Sequence, residues 1–325
     1  MSPFVLMTLL ATAPPVADAA GPPDVRKIWD KAPHNAFTDL IRWRDRWYCC
    51  FREGTGHAAG AGTIRVLTSD DGDVWTPAAT IAQDGADLRD PHLSITPDGR
   101  LMLNGGAAVP PTRNPVTDHF SFVTFSADGT SWTPPRKVVG SWQWLWRVAW
   151  HGGIAYGVAY SWDPKEKSKS YSATLYRSRD GLNYEKVSDL GRPGGTEAAL
   201  AFDGDAMICL LRRDGTPNTA QLGTSRPPYT AWTWKDLGAS LGGPCLLKLP
   251  DGRWFAAGRM TREGKPQTVV ARLDVGAGML TPLVTLPSGG DNSYAGMVWH
   301  DGKLWMSYYS SHEGKGSIYR VKWQP

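Results

Sequence analysis

The chain alternates between short apolar runs and tight polar turns, and the alternation recurs along its whole length. The recurring unit is an apolar run, a turn, and a second apolar run. Its copies are DLIRWRDRWYCCF, HLSITPDGRLMLN, RVAWHGGIAYGVAYS, AALAFDGDAMICLL, CLLKLPDGRWFAAG and GMVWHDGKLWMSYY. Asp-Gly between alternating apolar residues is a strong signal for a β-hairpin. The pattern therefore predicts six hairpins.

The spacing of the hairpins indicates how they assemble. Their turns fall near Asp45, Asp98, Gly152, Asp203, Asp251 and Asp301. Repeats of about fifty residues are typical of β-propellers, whose blades are four-stranded sheets around a central channel. We predict an all-β fold in which residues 21–325 form a single six-bladed β-propeller of four-stranded antiparallel blades. The strand around VRKIWDKA is expected to complete the last blade and so close the ring.

A second repeat lies between the hairpins. SDDGDVW, SADGTSW and SRDGLNY share a serine, an aspartate, a glycine and a final aromatic residue, and SRPPYTAW is a degenerate copy. Serine and aspartate side chains bond the backbone of their own turn, and glycine permits a positive φ. The repeat resembles the Asp box of sialidases and related propellers. The resemblance implies that these boxes lie on outer hairpins, where they serve structure and not catalysis.

Composition and charge limit the partners. Sixteen tryptophans, 36 glycines and 25 prolines in 325 residues favour short strands and turns. The net charge is only +4 and no dense block of Lys or Arg occurs, which argues against nucleic acid but suits an anionic sugar. No apolar run reaches the roughly 18 residues of a membrane-spanning helix. We predict a monomer that binds an anionic oligosaccharide or polysaccharide.

The N-terminus resembles an export signal. An apolar stretch from Phe4 to Ala11 precedes Ala17-Asp18-Ala19, an A-x-A pattern, although the positive n-region is missing. We expect residues 1–20 to be removed and the protein to be secreted or periplasmic; a retained N-terminal helix is the alternative. The four cysteines lie in apolar runs as small hydrophobes, and one bridge, Cys209 to Cys245, is left open.

Polar residues begin and end the strands of the predicted hairpins. In a propeller, the starts of the first strands and the ends of the second strands meet at one face, where ligands bind. Three second strands end at Arg52, Arg212 and Arg259, and we interpret these as an anion clamp, with solvated rims as the alternative. Residues at first-strand starts that are predicted to contact substrate are Arg89, Asp90, Arg147 and Trp146.

The resemblance to sialidases extends to site residues in the last three hairpins. GTEAALAFDGDAMICLLRR is similar to the sialidase segment with a glutamate and a carboxylate-binding arginine, which implies those roles for Glu197 and Arg212. Arg259 is similar to the third arginine of the sialidase triad. NSYAGMVWHDGKLWMSYYSS resembles the segment that carries the tyrosine nucleophile, which would be Tyr294.

The first hairpin departs from the sialidase pattern. Phe37-Thr38-Asp39-Leu40 stands where sialidases have Phe-Arg-Ile-Pro, so the first arginine of the triad is missing. Arg52 resembles an accessory arginine, after which sialidases place their catalytic aspartate. Here the loop EGTGH offers His57 instead. We predict that His57 is the acid/base, with Asp39 as the alternative.

These residues predict an exported exo-glycoside hydrolase that cleaves a terminal carboxylated sugar, keto-deoxy or uronic. Glu197 would accept the proton of Tyr294, which would attack the anomeric carbon. The alternatives are a polysaccharide lyase acting on a uronate and a carbohydrate-binding propeller without catalysis. We expect no cofactor, and no metal, because the remaining histidines lack the spacing of a ligand set.

Overall fold

The protein is described by a computed structural model that covers residues 21–111, 117–166 and 170–325. Within these ranges the chain forms 24 strands and no helix, so no described segment is a helix able to cross a membrane. The strands form six four-stranded antiparallel sheets. The prediction of an all-β, six-bladed propeller is therefore confirmed. The predicted export signal, residues 1–20, lies outside the described residues.

The first strand, β1 (Asp24–Trp29), does not pair with the strand that follows it in sequence. The next twelve strands form blades 1 to 3 in sequence order. Blade 1 contains β2 (His34–Trp43), β3 (Arg46–Gly54), β4 (Thr63–Ser69) and β5 (Thr76–Ile81). Blade 2 contains β6 (Asp87–Ile95), β7 (Leu101–Val109), β8 (Asp118–Ser126) and β9 (Arg136–Val138). Blade 3 contains β10 (Gln143–His151), β11 (Ile154–Ser161), β12 (Ser172–Ser178) and β13 (Glu185–Asp189).

The second half of the chain continues in the same order. Blade 4 contains β14 (Gly195–Asp203), β15 (Ala206–Arg213), β16 (Gln221–Ser225) and β17 (Thr233–Asp236). Blade 5 contains β18 (Gly242–Lys248), β19 (Trp254–Arg262), β20 (Lys265–Asp274) and β21 (Met279–Thr285). Blade 6 contains β22 (Asn292–His300), β23 (Lys303–Ser310), β24 (Ser317–Trp323) and, as its fourth strand, β1.

Strand β1 closes the ring as expected. It pairs antiparallel with β24, so the two ends of the described chain share one sheet. The buried Arg320 of β24 fixes this closure, because its guanidinium bonds the Asp24 carboxylate of β1 at 2.7 Å and the Gly72 carbonyl of blade 1 at 3.1 Å.

Three turns on the outer hairpins share one hydrogen-bonding pattern. We call residues 69–75, 126–132 and 178–184 the outer turns; they join the third and fourth strands of blades 1 to 3. In each, the serine hydroxyl accepts the glycine N–H at 2.8–3.0 Å. The aspartate Oδ1 accepts the next two backbone N–H groups at 2.7–2.9 Å. One carboxylate oxygen of each aspartate is therefore engaged with the backbone of its own turn.

Apolar side chains fill the space between neighbouring blades. For example, Trp47 of blade 1 and Trp305 of blade 6 lie 4.5 Å apart between ring centroids, and both are buried. All four cysteines are buried and free, so the bridge left open between Cys209 and Cys245 is absent. The cysteines instead act as small apolar residues of the core.

Every blade carries a β-bulge at the same place in its inner hairpin, where two residues of the first strand face one residue of the second. The six bulges are Phe37-Thr38, Asp90-Pro91, Trp146-Arg147, Thr196-Glu197, Gly243-Pro244 and Tyr294-Ala295. The first bulge residue has a positive φ of 48–60° in blades 1, 2, 5 and 6. Bulges bend a strand and redirect its side chains. They determine which side chains of the inner strands converge around the channel.

Candidate active site

A tyrosine and a glutamate from two bulges form the centre of the site. The Tyr294 hydroxyl donates to Glu197 Oε1 at 2.7 Å, and the Gly243 N–H donates to Glu197 Oε2 at 2.7 Å. Burial, and then the charge of Glu197, raises the pKa of Tyr294 well above its usual value. Burial opposes ionisation of Glu197, but the Arg212 guanidinium and the tyrosine lower its pKa below the usual value. Glu197 is therefore a carboxylate placed to accept the phenolic proton.

The backbone around Tyr294 is held in an uncommon conformation. Ser293 and Tyr294 have φ values of 90° and 50°, a region that L residues rarely adopt. The tyrosine ring is fixed from two sides by Phe37 and Trp146, with centroids at 5.1 and 5.5 Å. A Cβ at Gly243 would lie 2.9 Å from this ring, so only glycine fits there. Such strain is maintained by surrounding contacts and is common at functional sites.

Two arginines, Arg212 and Arg259, border the Tyr294–Glu197 pair. They differ in how many carboxylates form ion pairs with each of them. Arg212 bonds Glu197 at 2.9 Å and Asp214 through two nitrogens at 3.0 and 2.9 Å. Arg259 donates to the Asn292 carbonyl at 3.2 Å, and its guanidinium carbon lies 5.7 Å from the centroid of the tyrosine ring. Among the described residues no carboxylate lies within ion-pairing distance of Arg259. Of these two arginines, Arg259 is therefore the one whose charge is unpaired.

The three arginines predicted to form a clamp do not share one position. Arg52 and Arg259 pair with the residue before their bulges, whereas Arg212 lies opposite its bulge. Arg212 and Arg259 nevertheless both border Tyr294. The fully buried Arg52 bonds Asp87 at 2.7 Å and two carbonyls of the following loop at 2.8 and 3.2 Å. Arg52 supports the loop that carries His57.

Asp39 and Arg147 form a buried ion pair beneath the tyrosine. Arg147 Nη1 lies 2.9 Å from Asp39 Oδ1, and the second carboxylate oxygen accepts the Leu93 N–H at 2.8 Å. The same guanidinium donates to the carbonyls of Pro244 and Ala295, so it connects blades 1, 3, 5 and 6. Asp39 is only 3% exposed. Both residues that were predicted to face a ligand are thus occupied in holding the ring together.

His57 belongs to a cluster that joins blades 1 and 6. Its Nδ1 lies 3.0 Å from Asp291 Oδ2, and His34 Nε2 lies 2.8 Å from the same oxygen. Tyr309 donates to the other oxygen at 2.6 Å. The His57 side chain is 48% exposed and packs against Phe37 at 5.0 Å. Sequence reasoning missed Asp291, although a carboxylate directly before the NSYAG segment was a visible signal.

This cluster has the composition of a metal-ligand set. The candidate ligand atoms of His34, His57 and Asp291 lie within 4.8 Å of one another. However, His34 Nδ1 is buried without a hydrogen-bond partner. A metal on Nε2 would require a proton on Nδ1, and a buried N–H without an acceptor is costly. Hydrogen bonds from the two imidazoles to the carboxylate account for the cluster more simply.

The remaining predicted residues come from blades 2 and 3. Arg89 is directed to the buried Asp87, with Nε 2.6 Å from Oδ2. Trp146 is 1% exposed and supports the tyrosine from below. Asp90 is part-buried, and its Oδ2 accepts the Trp144 Nε1–H at 3.1 Å. Burial, followed by the charge of Glu197, raises the pKa of Asp90 to about 7.

Comparison with known proteins agrees with this fold. No family model and no curated protein sequence matches the chain. A Dyadobacter fermentans protein of unknown function is similar in structure, with a TM-score of 0.78 and 19% identity over 92% of this chain and 99% of that one. A Fusarium graminearum α-L-arabinofuranosidase, in complex with an iminosugar inhibitor, has a TM-score of 0.71 and 12% identity over 93% and 97% of the two chains.

Sialidases are also among the similar structures. Trypanosoma rangeli sialidase, with 2,3-difluorosialic acid as a covalent intermediate, has a TM-score of 0.70 and 13% identity. The match covers 89% of this chain and 54% of the sialidase, so the chain spans about half the length of that protein. The chain thus has the sialidase-like propeller fold that the sequence predicted, shared by glycoside hydrolases of low sequence identity.

Proposed function

We propose that the protein is a glycoside hydrolase that removes a terminal sugar by way of a covalent glycosyl–tyrosine intermediate. The observation that carries the proposal is the 2.7 Å hydrogen bond from the Tyr294 hydroxyl to Glu197. A phenol with a raised pKa is a poor nucleophile unless a base takes its proton as it attacks. Glu197 is ionised and placed for that task, and the fold shared with a sialidase and an arabinofuranosidase supports the same reaction class.

The proposed substrate carries a carboxylate that binds Arg259. This guanidinium lies beside the tyrosine ring, it is surrounded by protein, and no described carboxylate lies within ion-pairing distance of it. Arginine forks match carboxylates, so an acidic sugar would provide the missing partner. A neutral sugar is the second candidate, because Arg212 is already paired with two carboxylates and Arg52 is buried. If the substrate is acidic, Arg259 alone would therefore provide an unpaired charge for its carboxylate.

Paired substrates test both parts of the proposal. Aryl glycosides of sialic acid, of a keto-deoxy sugar, of a uronic acid and of the matching neutral sugars are offered to the wild type and to Tyr294→Phe. We expect cleavage of an acidic glycoside by the wild type and a loss of at least about 10³-fold in the variant, as for removal of a nucleophile. Wild-type-like activity of the variant contradicts the tyrosine mechanism, and an ultraviolet-absorbing unsaturated product supports the lyase alternative.

Arg259→Met distinguishes the acidic from the neutral substrate. Loss of a hydrogen bond to a charged group costs about 1.5–3 kcal/mol, which lowers kcat/KM for an acidic sugar by about 10- to 150-fold. The neutral analogue, with the same leaving group, serves as the matched control and should lose much less. Equal losses on both sugars, or a wild-type preference for the neutral sugar, would remove the anion-binding role.

The proposed enzyme is exported. The Ala17-Asp18-Ala19 pattern supports export, and extracellular glycans are the expected source of the substrate. Mass spectrometry of the protein from its natural host should give a chain that begins near residue 20. A full-length chain found in the cytoplasm would contradict export.

A further inference from the structure

Hydrolysis through a tyrosine leaves one role unfilled, which is the proton donor to the leaving oxygen. Among the residues that the sequence offered, Asp39 has both oxygens engaged and is buried beneath the tyrosine. His57 is half exposed, and one of its two nitrogens is bound to Asp291. In blade 6, Tyr294 is the first residue of the bulge. Neither Asp39 nor His57 occupies that position in blade 1, whereas Asp90 occupies it in blade 2.

We propose that Asp90 is the general acid of the first step and the general base of the second. Its position in blade 2 is the position of Tyr294 in blade 6, since each is the first residue of the bulge. Both residues also have nearly the same positive φ, 48° and 50°. The inference rests on the proposed glycosidase activity, and it assigns to Asp90 a catalytic role where the sequence suggested a contact to substrate.

The backbone at Asp90 is held in place at a conformational cost. Residues before proline favour extended conformations, and Pro91 follows directly. An aspartate at positive φ in this context is uncommon, and it persists only where surrounding structure imposes it. Here the bulge and the Trp144 hydrogen bond impose it. The result is a carboxyl group directed from the strand toward the ring of site residues.

The surroundings of Asp90 suit a carboxylic acid better than a carboxylate. Its basic neighbour, Arg89, is turned away and paired with Asp87 at 2.6 Å. Among the described residues no cation lies within ion-pairing distance of Asp90. One of its oxygens accepts a single indole N–H, which leaves the other for a ligand. The charge of Asp90 also interacts with Glu197, Tyr160 and Tyr294, so it acts on the same pocket. Burial and the charge of Glu197 raise the pKa of Asp90, and they outweigh Arg89, His57 and the Trp144 hydrogen bond, which lower it.

The two pocket carboxyls are separated in their pKa values. Arg212 keeps Glu197 ionised, whereas burial and the charge of Glu197 raise the pKa of Asp90 to about 7. A pair of carboxyl groups whose surroundings separate their pKa values provides one base and one acid at neutral pH. This division matches the needs of the reaction, which requires a base beside the tyrosine and an acid beside the leaving oxygen.

The two steps balance as follows. The Tyr294 oxygen bonds the anomeric carbon and its proton passes to Glu197, while the glycosidic C–O bond breaks and Asp90 protonates the leaving oxygen. Asp90, now a carboxylate, then takes a proton from water, and the water oxygen bonds the anomeric carbon. The bond to the tyrosine breaks, and the phenolate recovers its proton from Glu197. One water is consumed and every side chain returns to its starting state.

Asp90→Asn tests the proposal, with His57→Gln as the matched comparison. The substrates are two glycosides of the sugar that the wild type cleaves and Tyr294→Phe does not, one with an activated aryl leaving group and one with an alkyl leaving group. Loss of a general acid lowers the rate about 10²- to 10⁴-fold. We expect Asp90→Asn to show that loss in kcat/KM on the alkyl glycoside and a much smaller loss on the aryl glycoside.

Two further readouts separate a catalytic from a structural role. The wild-type rate should fall as pH rises past about 7, because the acid must be protonated, and this limb should be absent in Asp90→Asn and present in His57→Gln. Azide should restore turnover of the aryl glycoside by Asp90→Asn and give a glycosyl azide, since azide needs no base. Circular dichroism checks that each variant is folded.

The opposite pattern overturns the proposal. If the leaving-group dependence and the loss of the alkaline limb occur in His57→Gln, and Asp90→Asn behaves like the wild type, the acid is His57. If the wild type cleaves glycosides and neither variant changes the leaving-group dependence, Asp90 is not the acid although the proposed function stands. If the wild type cleaves no glycoside, the proposed function fails and the acid role of Asp90 fails with it.

Discussion

Aspartates in two regions of this propeller are held in opposite ways. In the outer turns, Asp71 and Asp180 each accept two backbone N–H groups, and their pKa values are lowered, for Asp71 to about 2. At the inner bulges, Asp90 accepts one indole N–H, is part-buried near Glu197, and has its pKa raised to about 7. Aspartate is thus held ionised in the outer turns, whereas the raised pKa of Asp90 at the inner bulge suits proton transfer.

The difference lies in what surrounds each carboxyl group. Backbone N–H donors stabilise the ionised form, whereas burial and a like charge destabilise it. The turn aspartates recur in a local sequence pattern because each turn provides its own donors. The surroundings of Asp90 come from other parts of the chain, with His57 after β3, Trp144 in blade 3 and Glu197 in blade 4. A carboxyl group whose donors come from its own turn is therefore held ionised, whereas burial beside another carboxylate favours the protonated form.

Breaking the inner ion pair gives the largest expected effect. Removal of one partner from a buried pair typically costs about 3–5 kcal/mol, because the remaining charge is uncompensated. Arg147→Met should therefore lower the free energy of unfolding by about that amount, since Asp39 would lose its cation inside the ring. Urea denaturation measures the change.

The matched control for this prediction is the double variant Asp39→Asn/Arg147→Met. It should recover part of the stability, because no buried charge is left unpaired. A single variant that loses less than about 1 kcal/mol would indicate an ordinary exposed pair instead. In that case Arg147 would be free to bind a ligand, as its position in the sequence first suggested.

Replacing Asp90 gives the next largest effect, and its sign depends on pH. The folded-state pKa of about 7 is above the ordinary value of 3.8, so ionisation of Asp90 reduces stability as pH rises between these values. Asp90→Asn should therefore raise the free energy of unfolding at pH 8, by at most about 4 kcal/mol, and leave it nearly unchanged at pH 4. Thermal melts at both pH values check the prediction without reference to activity.

The opposite result would change the view of the centre. If Asp90→Asn destabilises the protein at pH 8, the carboxylate is stabilised in the folded state by a cation or donor. The comparison between rim and centre would then fail, and so would the physical basis for an acid role. Because this measurement needs no substrate, it is independent of whether the protein cleaves glycosides.

The sequence predicted the fold well because each hairpin turn is specified locally by a few residues. The resemblance of two short segments to those of sialidases singled out Tyr294 and Glu197, and the structure brings these two side chains into contact. The three-arginine clamp followed only in part: Arg212 and Arg259 both border Tyr294, whereas Arg52 is buried against Asp87 and the loop that carries His57. The partners of Asp39, Arg52 and His57 come from other blades, so no local pattern indicates which of them is buried, paired or free.

Replacing an outer-turn aspartate gives the smallest effect, with the opposite dependence on pH. Although partial burial opposes it, the N–H groups of Asn183 and Leu182 lower the pKa of Asp180 below its usual value. Its ionised form therefore adds stability above about pH 4, and this contribution is lost as pH falls toward the folded-state pKa. Asp180 is exposed and asparagine still accepts hydrogen bonds, so Asp180→Asn should cost less than about 1 kcal/mol at pH 7. Thermal melts should show that the cost shrinks at pH 3, whereas the gain in Asp90→Asn grows toward pH 8. If both variants shifted with pH in the same direction, the two regions would not hold their aspartates in opposite ways.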